Sequence, residues 1–201
     1  MAKLELPVTE VPVERADAAR NRAKILQAAE RLFDKRGVEN VSMDDVARAA
    51  GVGKGTLFRR FDDRATLVRT LLGEGDAAFQ ESLIRGPAPL GPEAPPRERL
   101  LAFGEGMLDL LDRHGDLLLE AEGGSSSCAR YRSQVYAFYR THVTLLLREA
   151  APHCNADYLA DALLSALSAE FVSYQRTIRE LSLDEVKQGW RELVERLVPA
   201  G

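Results

Sequence analysis

The segment GVGKGTLFRRF, residues 51–61, decides the fold. Two glycines flank a lysine, a threonine follows, and paired arginines stand between aromatics. A nucleotide-binding phosphate loop requires G-x-x-x-x-G-K-[ST] between a strand and a helix, because its amides wrap the phosphates while the hydroxyl holds magnesium. With Gly53-Lys54 as the G-K pair, position 48 is Arg and position 55 is Gly, and a short helix precedes it. The segment is therefore not a phosphate loop. Leu57 and Phe61 lie four apart and can pack inward against Val46 and Leu32, whereas Thr56, Arg59 and Arg60 share another face. Such a split suits the second helix of a helix-turn-helix, which enters the major groove of DNA. Bare Gly53 and Gly55 would let a phosphate approach the unsatisfied amides of the helix start, where the dipole favours an anion.

Apart from LPVTEVPV near the start, no alternating pattern bounded by turns is found, and the 3.6-residue period recurs in nearly every segment. The fold class is all-α with about nine helices. The first is expected over 15–36, with Ile25, Ala29, Leu32 and Phe33 on one face and Gly37 as a left-handed cap. Ser42 and Asp45 give an S-x-x-D start for the second, a third short helix begins near Lys54, and a fourth runs from Asp63 to about Ile84. Five prolines and two glycines in 85–96 make a linker that no helix crosses. Helices are then expected over about 97–113, 116–122, 127–150, 156–180 and 183–197, with a loop at 122–127. The domains are a flexible arm (1–14), a helix-turn-helix domain (15–62) and a C-terminal helical body (63–201).

The chain has 201 residues and a formal net charge of −4, which conceals an asymmetry. Residues 15–60 hold 11 basic and 6 acidic side chains, whereas residues 74–201 hold 13 basic and 20 acidic. A basic head on an acidic body fits a head that meets phosphates. No apolar run reaches the roughly 20 residues of a membrane helix, and the start lacks a signal-peptide pattern. A soluble cytoplasmic protein without a membrane partner is expected. Two cysteines, Cys128 and Cys154, are too few for a disulfide framework and read as reduced thiols, with a redox switch as the alternative.

The stretch from Ile25 to Leu72 resembles the N-terminal DNA-binding domain of the TetR family of transcriptional regulators. The resemblance rests on A-x-x-L-F-x-x-x-G at Ala29 to Gly37, S-M-x-D-V-A at Ser42 to Ala47, and A-G-V-x-K-G-T-L-F-x-x-F at Ala50 to Phe61. It implies that Lys54 and Thr56 contact phosphate or a base, that Arg64 contacts phosphate, and that Ser42 caps the second helix near the backbone. Arg59 and Arg60 would face base edges, where arginine can pair bidentately with guanine. Three positions depart from the family pattern. Gly53 replaces a common serine, Phe58 stands where a tyrosine often donates to phosphate and would serve by packing, and Asp44 opposes the DNA backbone.

The same resemblance implies that the body dimerises through its last two helices and encloses a pocket for a small molecule whose identity is unknown. Within 156–180, Leu159, Leu163, Leu167, Phe171, Tyr174 and Ile178 form one stripe; Ala162, Ser165, Ala166, Ala169 and Ser173 form a small-residue stripe. The latter, with Trp190 and Val194 of the last helix, is the expected homodimer interface. Phe103, Met107, Tyr131, Tyr136 and Phe138 mix apolar bulk with hydrogen-bonding tips and are pocket candidates, as are Tyr139, His142, Phe171, Tyr174 and Gln175. Gly104 and Gly106 either open space or mark a close helix contact. His114, His142, His153 and Cys154 have no zinc-like spacing, so neither metal nor cofactor is expected, and no nucleophile elbow suggests an enzyme. The resulting expectation is a homodimeric repressor that binds a pseudo-palindromic DNA operator and is released by a ligand. An activator or constitutive repressor without a ligand, and a cysteine-based redox regulator, are the other readings.

Overall fold

Gly37 ends the first helix in the left-handed conformation, φ 76°, that a residue without a Cβ adopts at little cost. Its N–H donates to the Phe33 carbonyl at 2.8 Å, closing the last turn. The computed structural model describes residues 13–122 and 130–199. Three helices build the head: α1 (Val13–Arg36), α2 (Met43–Ala50) and α3 (Lys54–Arg60). Because α1 starts at Val13, only residues 1–12 of the expected arm precede it, and these lie outside the described residues. Ile25, Leu26, Ala28, Ala29 and Phe33 of α1 are buried, as are Val46, Ala47, Leu57 and Phe61, and α2 packs against both α1 and α3. Leu32, expected in this core, is only half-buried.

Helix α4 (Arg64–Arg85) is capped by Asp63, whose carboxylate accepts the Thr66 N–H at 2.7 Å. The chain divides into two compact units after Leu67, later than the expected boundary at residue 62. The first turn of α4 belongs to the head, because Leu67 is fully buried and Arg64 donates to the Val38 carbonyl at 2.9 Å.

The second unit continues with α5 (Pro96–Glu122), α6 (Gln134–Ala150), α7 (Ala156–Ala166), α8 (Ala169–Ser173) and α9 (Leu183–Leu197). A 3-10 turn over Arg130–Arg132 precedes α6 and a π turn over Tyr174–Ile178 follows α8. Among the described residues there are nine α-helices and no strand. Helix α5 packs against α6, α8 and α9, and α6 against α7. Phe103, Leu100, Val143, Leu147, Ala160 and Val194 are fully buried in this bundle. Each large aliphatic side chain so buried contributes about 1.5–3 kcal/mol.

Several expected boundaries change. Gly115 does not divide 97–122: one glycine costs a helix only about 1 kcal/mol, which the packed face of a long helix offsets. Pro96 opens α5 in the first-turn position where its missing N–H costs nothing. Helix α6 begins at Gln134 rather than 127, because Ser133 caps it by accepting the Tyr136 N–H at 3.1 Å. The expected loop at 122–127, past Glu122, lies outside the described residues. The expected helix 156–180 breaks at Leu167, where Ser168 accepts the Phe171 N–H at 3.2 Å and starts α8.

That break undoes the two stripes. Leu163 and Leu167 are buried, while Phe171, Tyr174 and Ile178 are exposed, Ile178 at 72%. On the small-residue side Ala162 and Ser165 are exposed, Ser173 is half-buried and Ala169 is buried within its own chain. Trp190 and Val194 are not on an outer face either: both belong to the intrachain core. The Trp190 indole N–H donates to the Leu101 carbonyl at 3.1 Å, and its ring lies directly on Gly104. Gly104 is thus a close helix contact rather than a source of space, and Gly106 likewise faces Phe79.

A Cβ at position 104 would lie inside the Trp190 ring system, which is buried and hydrogen-bonded. Gly104→Ala is therefore expected to destabilise the protein by about 1–3 kcal/mol through overpacking. Denaturant unfolding followed by the fluorescence of the single tryptophan would measure this, and an unchanged midpoint would contradict the packing.

Candidate functional site

Two helix ends shape the head site. Ser42 caps α2: its hydroxyl accepts the Asp45 N–H at 3.2 Å, and its own N–H donates to the Asp45 carboxylate at 3.2 Å. These reciprocal bonds form a full capping box and hold the Asp45 carboxyl below its usual range. Gly51 closes α2 with φ 66°, and the Val52 N–H returns to the Ala47 carbonyl at 3.0 Å. The chain then reverses into α3, where Gly53 is an extended N-cap without a side-chain bond. A Cβ at Gly53 or Gly55 would meet nothing within 4 Å, so the start of α3 is open.

Leu57 and Phe61 fix α3 to the head, and the remaining positions project outward. Arg59 is exposed and makes no hydrogen bond or ion pair among the described residues. Arg60 is also exposed but, unlike Arg59, donates to the Ala18 carbonyl at 3.0 Å, which links α3 to α1. Thr56 is half-buried next to the open start of α3. Phe58, expected to pack, is instead 44% exposed. Asp44, expected to oppose an approaching backbone, is ion-paired with Lys54. Both partners are exposed, so the pair contributes little and is readily exchanged. Arg64 is half-buried against Val38 and joins the start of α4 to the segment between α1 and α2.

The body holds a separate cavity of about 460 Å³, within the usual range for small-molecule sites. Of the expected pocket residues, Met107, Tyr131, Tyr136 and Tyr139 line it. Phe103, Phe138, His142, Phe171, Tyr174 and Gln175 do not. Phe103 is fully buried at the centre of an aromatic cluster with Phe79, Tyr139 and His142, its ring centroid 5.7–5.9 Å from theirs. Phe138 packs on Tyr139, and Phe171 and Tyr174 stack on one another in the open. Ser165 and Ala169, expected at a dimer interface, line the cavity.

Asp76 of α4 also lines it and was not foreseen. Its carboxylate accepts the Tyr139 hydroxyl at 3.1 Å; burial pushes its pKa up, while that bond and nearby His114 oppose the shift. The sequence signal was an acid four residues after Leu72 and three before Phe79, on an otherwise apolar helical stripe. Tyr136 donates to Asp161 at 2.7 Å, and both tyrosines are held well above the usual phenol range, first by burial and then by these carboxylates. Arg130 donates to the Leu164 carbonyl at 2.8 Å and lies over the Tyr131 and Tyr136 rings.

Among the described residues no cluster of three or more His, Cys, Asp or Glu side chains could hold a metal. No described helix is long and apolar enough to cross a membrane. Cys154 is a half-buried free thiol, and Cys128 lies outside the described residues.

Two short helices joined at a left-handed glycine, the second with a buried apolar face and an open basic one, define a helix-turn-helix domain. Residues 25–71 match the family described as bacterial regulatory proteins, tetR family. An HTH-type transcriptional regulator of Staphylococcus aureus (strain USA300) is 49% identical over 53 residues, covering 26% of this chain and 29% of the relative. The match thus spans less than a third of that protein. A Saccharomonospora viridis structure in complex with choline shares the fold with a TM-score of 0.70 and 22% identity, covering 88% of this chain and 96% of that one. NalD, the secondary repressor of the MexAB-OprM multidrug efflux pump in Pseudomonas aeruginosa, has a TM-score of 0.57 and 21% identity over 91% and 98% of the two chains.

Ser42→Ala removes the hydroxyl that accepts the Asp45 N–H but keeps the Ser42 N–H bond to the Asp45 carboxylate, and should destabilise the head by about 1 kcal/mol, measured by denaturant unfolding. A second expectation concerns His142, whose pKa is pushed down to about 4 by burial and by Arg99. The unfolded chain takes up this proton near 6.5 and the folded one only near 4, so acidification through that window removes stability. An NMR titration should place the His142 midpoint near 4; a value of 6.5 would contradict its burial.

Proposed function

We propose that this protein is a transcriptional regulator that binds double-stranded DNA through α2 and α3, most simply as a homodimeric repressor on a pseudo-palindromic operator. The observation that carries this reading is the outward face of α3, where the open start and the uncommitted Arg59 stand on a helix fixed from behind by Leu57. Arg59 is assigned base reading, with Lys54 and Thr56 at the backbone. Arg60 and Arg64 hold the head in shape and approach phosphate from those positions. The family match to the head and the repressor NalD among proteins of this fold support the assignment.

A small-molecule response is supported by the cavity, and a protein of the same fold holds choline. A ligand that prefers the DNA-incompetent dimer shifts the population by its differential affinity, about 5.5 kcal/mol for a change from 1:99 to 99:1. Exposed Tyr158, Ile178, Leu145 and Leu193, together with Ala162, supply apolar surface for a second copy. The cytoplasm is the compartment this function requires.

Selection of bound sequences from a random DNA pool should return a two-fold symmetric site, and an asymmetric site would count against the homodimer. Arg59→Ala should reduce discrimination at one base position by about 1–3 kcal/mol while leaving random-sequence binding nearly intact. Equal losses on selected and random DNA would overturn its role in base reading.

A further inference from the structure

We propose that the body cavity takes a compact organic cation, an ammonium group on an apolar frame, held by the Asp76 carboxylate and by tyrosine rings of the same cavity wall. This inference rests on the ligand-responsive reading above and adds the chemical class of the ligand.

Most of the cavity wall is apolar, so its few charged groups determine which ligands it tolerates. They are Asp76 and Glu170, two carboxylates, against the single guanidinium of Arg130, with His114 beside Asp76. Arg130 is already committed, since its guanidinium donates to Leu164 and lies 5.9 Å and 5.5 Å from the Tyr131 and Tyr136 ring centroids. Those rings thus already hold a cation of the protein's own by the negative face that also attracts alkylammonium groups, and a ligand cation would compete with Arg130 for it. Asp76 is half-buried; the Tyr139 hydroxyl supports it and His114 lies near enough to act on it electrostatically. Burial disfavours its ionised form, and an arriving cation relieves that desolvation cost. A neutral ligand would leave the cost in place, and an anion would meet the two carboxylates of Asp76 and Glu170 against the single guanidinium of Arg130.

The test uses the full chain and three probes of similar size: benzyltrimethylammonium, 2-phenylethanol and phenylacetate, titrated calorimetrically. The cation should bind at least about tenfold more tightly than the other two. Asp76→Asn should weaken the cation by about 10- to 100-fold and leave 2-phenylethanol unchanged, as expected for loss of a charge-assisted contact. Tyr131→Leu, at a ring 51% exposed and so safe for folding, should weaken the cation several-fold and leave the neutral probe unchanged. If Asp76→Asn does not fold, Tyr131→Leu decides. Tighter or equal binding of phenylacetate or 2-phenylethanol, no binding of any probe, or unchanged cation affinity in the folded variants would overturn the proposal. Protein–DNA binding measured with saturating cation separates the two readings. Asp76-dependent binding that leaves DNA bound supports the cation site and contradicts ligand release, whereas release by the neutral probe alone does the reverse.

Discussion

A helix of seven residues has no stability of its own in water, because its nucleation cost exceeds what so few hydrogen bonds return. Helix α3 exists because Leu57 and Phe61 are buried in the head and the Gly51 turn delivers the chain at the required angle. Everything proposed for the head depends on that anchoring. The buried face leaves the opposite one outward, and the neighbouring supports act on the same short element from different sides. Ser42 and Asp45 hold α2, Arg60 reaches α1, and Arg64 ties the next helix to Val38. A basic side chain on a loosely held helix would lose conformational freedom on binding; on a fixed helix much of that loss is met during folding.

The body uses a different device. Its central helix, α5, presents glycine where the indole of α9 arrives, so Trp190 becomes part of one chain's core. Across the bundle, the separation of α7 from α8 places Ser165, Ser168 and Ala169 along the cavity. A continuous helix would have kept the small residues in a single row. The cavity consequently combines large rings from the 3-10 turn and α6 with small residues from the α7–α8 break and an acid from α4.

The legibility of these features in the sequence followed their range along the chain. Caps and inward positions depend on three or four neighbouring residues, and Ser42, Gly37 and the buried Leu57 and Phe61 were legible from such spacing. Burial of one element against a distant one is not encoded locally. The aromatic periodicity around Phe103 and Tyr174 was visible, yet the first became core and the second surface. Trp190 had the spacing of an amphipathic stripe, but only α5 determined which partner covered it. Ser168 was the subtle case: its capping hydroxyl interrupted an apolar period that otherwise ran on without a glycine or proline to mark the end. Asp76 escaped because an acid within a helix usually faces water, and only its partner Tyr139, 63 residues away, made it part of a wall.

The ion pair between Lys54 and Asp44 bears on how the head senses its ionic surroundings. A free lysine beside a polyanion displaces condensed counterions from it, and the gain from their dilution is what salt opposes. Lys54 already carries its counterion in covalent form. A phosphate that takes its place must return Asp44 to water, leaving a carboxylate near the incoming negative charge. Because the pair is exposed and contributes little, an incoming anion can take the place of Asp44 at small cost, and what the exchange adds is the carboxylate left beside it. Asp44 is already among the six acidic side chains of residues 15–60, so the pairing leaves the head's net charge as counted and changes only where that charge is concentrated.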